Sequence, residues 1–108
     1  MELIERSAAT GAIRVEAVDG TTVVSLVGEV DAALRDDASA SMARALVTGS
    51  PVVIDSTDAT FIDSAGLAFV LQLSRAASEA GIAVSLRDPH RVVHDVLDMI
   101  GLGGELPV

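Results

Sequence analysis

Ile13, Val15 and Ala17 alternate with Arg14 and Glu16, the period of two that marks a strand with one buried face. Asp19-Gly20 follows, a pair that favours the tight turn of a hairpin. Val23 to Val27 predicts the returning strand, more apolar and therefore more central, ending at Gly28-Glu29-Val30-Asp31. The period then changes. Leu34, Ala38, Met42 and Ala45 share one helical face over Leu34 to Val47, and Gly49-Ser50-Pro51 stops that helix. Val52-Val53-Ile54 is a short continuous apolar run, the pattern of a strand covered on both faces. Asp55 to Thr60 reads as polar loop.

A second helix is predicted from about Ser64 to Ala80, with Val70, Leu73 and Ala77 toward the core and Gln72, Arg75 and Glu79 on a narrow polar face. Gly81 ends it. Ile82, Val84 and Leu86 alternate as another strand. Asp88-Pro89 predicts the start of a third helix, with Asp as N-cap and Pro at the first helical position. Val93, Val96, Leu97 and Ile100 form its apolar stripe, and Gly101 and Gly103-Gly104 end it. Residues 1–11 read as a polar lead-in and Glu105 to Val108 as a short tail, possible as a last strand. The order predicts an α/β fold in one domain over 1–108. An N-terminal hairpin leads into parallel crossovers, giving a mixed β-sheet covered by about three α-helices.

Composition narrows what such a domain does. The 108 residues carry 16 acids and 7 bases, a net charge of −9, and every base is Arg. That balance repels phosphate backbones, and only Phe61 and Phe69 are aromatic, so nucleic-acid binding and base stacking are excluded. The absence of Cys excludes disulfides, thiolate metal sites and a cysteine nucleophile. No apolar run has the length of a membrane span, and the start lacks the pattern of a signal peptide. The expectation is a soluble, cytoplasmic protein with no membrane partner.

Phe61-Ile62-Asp63-Ser64-Ala65-Gly66-Leu67 is the unusual segment. Two large apolar residues lead into a cap-like Asp-Ser pair, and a Gly then sits in the first helical turn, where it costs about 1 kcal/mol against Ala. Read plainly, this is a capped helix start. Read functionally, Ser64 is an exposed hydroxyl at a helix N-terminus, where added negative charge is tolerated, and Gly66 lets a partner's backbone approach. Leu67, Phe69, Val70, Leu71 and Leu73 span more than one sheet-facing stripe, so Leu67 or Phe69 is expected at an exposed margin. Asp55, Asp58 and Asp63 surround this loop, and Glu29 and Asp31 end the second strand. Strand ends line up in parallel crossovers, which predicts Asp31 and Asp63 on either side of Ser64. No G-x-S-x-G elbow accompanies Ser64, and no P-loop or dinucleotide motif is present. His90 and His94 have a metal-compatible spacing, but His90 lies in the first turn and His94 on the polar face with Asp98, so they read as an exposed polar face. No catalytic residue, metal or cofactor is expected.

Val52-Val53-Ile54-Asp55 with Phe61-Ile62-Asp63-Ser64-Ala65-Gly66-Leu67 resembles the signature of the STAS domain, found in sulfate transporters and anti-sigma factor antagonists. Gly28-Glu29-Val30-Asp31 is similar to that family's Gly-Glu-Leu-Asp. Pro89, Val92-Val93, Leu97 and Ile100-Gly101-Leu102 are similar to its third helix and ending. A stand-alone domain of this kind resembles the bacterial anti-sigma factor antagonists (anti-anti-sigma factors), which regulate transcription by partner switching. The resemblance implies a phosphoprotein that binds an anti-sigma factor when unphosphorylated. That partner is also a serine kinase of the histidine-kinase-like ATPase type, bringing its own nucleotide and Mg²⁺. It phosphorylates the motif Ser, here Ser64, and a serine phosphatase reverses this. Asp31, Asp63, Ala65, Gly66, Leu67 and Phe69 are the implied partner and kinase contacts. The chain departs from the family pattern at Leu34, where relatives place a capping Thr or Ser, at Ser56-Thr57 after the third strand, and at Ala65, which leaves Ser64 as the modifiable residue. The alternative reading is a non-switching accessory subunit of a lipid-transport or stress-signalling complex.

Overall fold

Two residues of positive φ, Asp19 at 50° and Gly20 at 78°, turn the chain between β1 (Ala12–Val18) and β2 (Thr21–Val30), as the Asp-Gly pair demands. The computed structural model describes residues 10–102; the lead-in and tail readings at 1–9 and 103–108 lie outside these. After β2 come a 3-10 turn at Ala32–Leu34, α1 (Arg35–Val47), β3 (Val52–Asp55), β4 (Ala59–Ile62), α2 (Ser64–Glu79), β5 (Val84–Arg87) and α3 (Val92–Met99). The sheet runs β1-β2-β3-β5, with β1 antiparallel to β2 and the others parallel. β4 also pairs parallel with β2, beyond β3. This is the predicted mixed sheet with three helices.

β4 corrects the loop expected through Thr60. Ser56, Thr57 and Asp58 alone make the break, and the Asp58 carbonyl accepts from the Gly28 N–H at 2.9 Å. The chain then rejoins β2, with Glu29 opposite Phe61 and Val30 opposite Ile62. β2, with 10 residues, therefore holds two parallel partners end to end. The run Asp55 to Thr60 reads as loop because Asp and Ser dominate it, although Thr60 itself suits a strand, and the pairing is set by Ile62 entering the core.

β3 is covered on one face only, against expectation. Val52 and Ile54 are buried, while Val53 and Asp55 are half-buried on the other side. Thr22, Val24 and Leu26 of β2 share the buried face with Val52 and Ile54. Buried residues of all three helices, including Ala45, Val70, Leu73, Ala77, Val93 and Leu97, join them in one core. The opposite face carries exposed Arg14, Glu16, Ser85 and Arg87, and on it Arg87 pairs with Asp55 at 3.2 Å. Hydrogen bonds from Thr57 and the charge of Arg87 outweigh the partial burial of Asp55 and hold its carboxyl below the usual carboxylate range.

The third helix starts later than Asp88-Pro89 predicted. Residues 88–91 form a turn in which the Arg91 N–H donates to the Asp88 carbonyl, and Arg91 has φ 60°. Asp88 still caps the helix, from outside it. Its side chain is 0% exposed and accepts from the N–H groups of Val93 (3.1 Å) and His94 (2.8 Å) and from the Ser56 hydroxyl. The His94 ring Nδ1 lies 2.7 Å away. Burial alone would raise this carboxyl, and the hydrogen bonds from Ser56, His94 and Val93 together overcome that and lower it. Ile100 falls outside the helix and is exposed.

α2 begins at Ser64 as predicted, and its first turn presses on the sheet. A Cβ built on Gly66 would meet the Val30 carbonyl oxygen, Ile62 Cγ1 at 2.7 Å and Val30 Cγ1 at 2.9 Å. Gly66 therefore admits the chain's own strands. This overturns the reading that it makes room for a partner's backbone.

Two predictions follow the packing. Gly66→Ala should lower stability by about 1–3 kcal/mol in urea unfolding, because overpacking exceeds the helix-propensity gain of Ala; a stabilised variant would refute the close approach. Asp88 titrates lower in the folded chain than its unfolded value of about 3.9. Its contribution is complete above that value and is lost as pH falls through the folded one. Asp88→Asn should cost about 1–3 kcal/mol near neutral pH. The difference from the parent should narrow as pH falls below the ordinary carboxylate range. A constant difference would show that the charge of Asp88 plays no part.

Candidate functional site

Val30 and Ile62 are opposite in register at the ends of two adjacent parallel strands. The next residues, Asp31 and Asp63, therefore leave the sheet side by side, on strands about 4.8 Å apart. Each then caps a helical segment. Asp31 Oδ1 accepts from the Ala33 N–H of the 3-10 turn at 3.0 Å, and Asp63 Oδ1 accepts from the Gly66 N–H of α2 at 3.0 Å. The missing Thr or Ser at Leu34 is thus offset. Leu34 gives α1 no side-chain cap and is buried, and Asp31 caps the turn before it.

Ser64 is the first residue of α2 and is exposed. Its neighbour Ala65 lines a cleft of about 380 Å³ between α1 and α2. Asp31, Gly66 and Phe69 line it too, with Leu34, Arg35, Met42 and Gln72 among the rest. Four of the six predicted contact residues thus border one concavity, with Asp63 capping beside it. Leu67 and Phe69 are not at an exposed margin: they are 3% and 4% exposed, within the core. The wide apolar arc of α2 is filled from two sides, by the sheet and by α1. Phe69 meets the cleft from its floor, and Leu67 supports the site from beneath.

The wider acid cluster is only partly assembled. Asp55 is held by Thr57 and Arg87, and Glu29 is exposed opposite Phe61 in register. Asp31 and Asp63 are the pair that the fold places together. Phe61 itself is 51% exposed, one residue from the capping Asp63. Its position was readable, since Ile62 alternates with it, but the break before β4 hid the strand. Gln72 gave a usable signal for the cleft, being the lone polar side chain between Ala65 and Leu73.

His94 Nδ1 is engaged with Asp88, and no group of three or more metal-ligating side chains occurs among the described residues. Among these residues no helix is long and apolar enough to cross a membrane.

Known structures share this fold. An anti-sigma factor antagonist from Mycobacterium paratuberculosis superposes with a TM-score of 0.71 at 22% identity, covering 91% of this chain and 84% of that one. The phosphorylated form of the Bacillus cell fate determinant SpoIIAA gives 0.66 at 26% identity, covering 85% and 86%. Mglu gives 0.64 at 19% identity over 73% of this chain, which spans only 20% of that protein. No curated protein sequence matches the chain. The model of the STAS domain matches residues 12–108, nearly the whole sequence, and the chain belongs to the STAS domain family.

Proposed function

We propose that this protein is an anti-sigma factor antagonist, a cytoplasmic binding module switched by phosphorylation of Ser64. The observation that carries the reading is the exposed Ser64 hydroxyl at the start of α2, beside two carboxylates held in place as caps and next to the α1–α2 cleft. The named function of the M. paratuberculosis neighbour and the phosphorylated SpoIIAA structure support it. The partner is an anti-sigma factor with serine kinase activity of the histidine-kinase-like ATPase type, and a serine phosphatase restores the binding form. The switch regulates sigma factor activity and so transcription.

The chemistry fits the surroundings. The γ-phosphoryl group of the kinase's nucleotide passes to Ser64 Oγ, and the hydroxyl proton leaves to a base on the kinase. The product adds about −1.5 to −2 charges at neutral pH. The helix N-terminus tolerates that charge, so the fold need not change. Asp31 and Asp63 cannot swing away without giving up their caps. A partner seated over Ser64 would then enclose three anionic groups, and repulsion with desolvation would favour release. Ala65 and the cleft floor at Gly66 and Phe69 supply the apolar contact that holds the unphosphorylated form, with Leu67 fixing the helix beneath.

Ser64→Ala should bind a cognate kinase-type anti-sigma factor as the unmodified chain does. Ser64→Asp should bind at least about tenfold more weakly, and the phosphorylated chain about a hundredfold. Titration calorimetry checks the affinities, and mass spectrometry checks for a single phosphate on Ser64. Equal affinities for all forms would overturn the switch and favour the accessory-subunit reading.

A further inference from the structure

β1 closes one side of the sheet, and among the described residues no strand pairs with its outer edge. The two-residue turn fixes which backbone groups lie there. Val18 and Thr21 flank the turn as a hydrogen-bonded pair, so Ala12, Arg14, Glu16 and Val18 direct their N–H and C=O groups toward β2. Ile13, Val15 and Ala17 direct theirs outward. Arg44 agrees with that parity: its guanidinium reaches over from α1 and donates to the Val15 carbonyl at 3.2 Å.

We propose that two copies of this chain associate through this edge, β1 pairing antiparallel with β1 of the second copy about a two-fold axis at Val15. Val15 is the midpoint of the seven-residue strand, so this register pairs its full length. Val15 faces itself, Ile13 faces Ala17, and about six backbone hydrogen bonds form. Arg14 of one copy then stands opposite Glu16 of the other, twice, on the open face of the joined sheet where both side chains are exposed. Directly opposite partners of this kind have Cβ atoms about 4.5–5.5 Å apart. The two neighbouring registers lose the match. Centring on Arg14 sets Arg14 against Arg14, and centring on Glu16 sets Glu16 against Glu16, like charges in each case. The charge pattern of β1 is thus self-complementary in one register, in a chain whose net charge otherwise opposes association.

A second observation lies on α1. Ala40, Arg44 and Val47 are exposed at spacings of four and three, one helical face, and Val47 is 83% exposed. The Arg44 contact turns this face to the β1 edge. The two-fold axis would lay the two α1 helices side by side above the joined sheet, with Ala40 and Val47 of each covered by the other. The single Arg44 bond to Val15, exposed and worth little, is exchanged for the strand ladder.

Sedimentation velocity from about 10 µM to about 1 mM tests this, a range suited to weak association. The parent chain should show a concentration-dependent dimer. Arg14→Glu or Glu16→Arg alone converts both attractive pairs into repulsive ones and should weaken it about tenfold. The double variant reinstates opposite charges and should return to within about threefold of the parent. Val15→Pro removes an outward N–H and no bond to β2, so it should keep its circular dichroism and lose the dimer. A parent chain monomeric throughout, a double variant as weak as the singles, or a folded Val15→Pro variant that still dimerises would each overturn the proposal.

Discussion

Contact between the first turn of α2 and the ends of β2 and β4 is the constraint on which the rest of the molecule turns. The backbone at Gly66 lies so close to Val30 and Ile62 that no side chain fits. Once the helix is seated there, Leu67, Phe69, Val70 and Leu73 are carried into the core, and Ser64 is left on the outside at the sheet edge. A glycine early in a helix weakens it locally. Burial of several large side chains, each worth about 1.5–3 kcal/mol, more than offsets that. The exposed hydroxyl is therefore positioned by packing rather than by contacts of its own.

Two arrangements of acidic residues stand in contrast. Asp88 is sealed inside, and its charge is matched by donors from Ser56, Val93 and His94. It joins the ends of β3 and β5 to α3, so a polar group supplies the closure that apolar contact would not make specific. Asp31 and Asp63 stand at the surface, and each uses one oxygen on a backbone N–H. The net charge of −9 is thus a sum of separate local arrangements, of which Asp31 with Asp63 adjoins the proposed phosphorylation site.

Much of this was legible along the chain. Alternation at Ile13 to Ala17, the Asp19-Gly20 turn and the helical spacing from Leu34 and from Ser64 each specify an element with little tertiary help. The juxtaposition of Asp31 with Asp63 also followed from strand ends lining up. What escaped depended on long-range neighbours. Val52-Val53-Ile54 has the composition of a doubly covered strand, yet all three helices lie on one side. Ala59 and Thr60 become strand because β2 extends past β3. Leu67 and Phe69 are apolar like any exposed margin until the sheet and α1 are placed against the helix. Asp88 has the sequence look of an N-cap, and its reach across a turn to Val93 and His94 depends on the left-handed Arg91.

The alternation of local and distant pairings along the sheet has a kinetic meaning. β1 and β2 meet through a two-residue turn, so their pairing closes almost no loop and takes microseconds. Every other pairing joins strands that are parallel, and β2 must wait for α1 to be spanned before β3 arrives at Val52. The hairpin is therefore the piece of sheet available earliest, and the remaining strands are templated on it in turn. Changes at Asp19 and Gly20 should register mainly in the folding rate. Changes around Asp88, where the last helix docks, should register mainly in the unfolding rate.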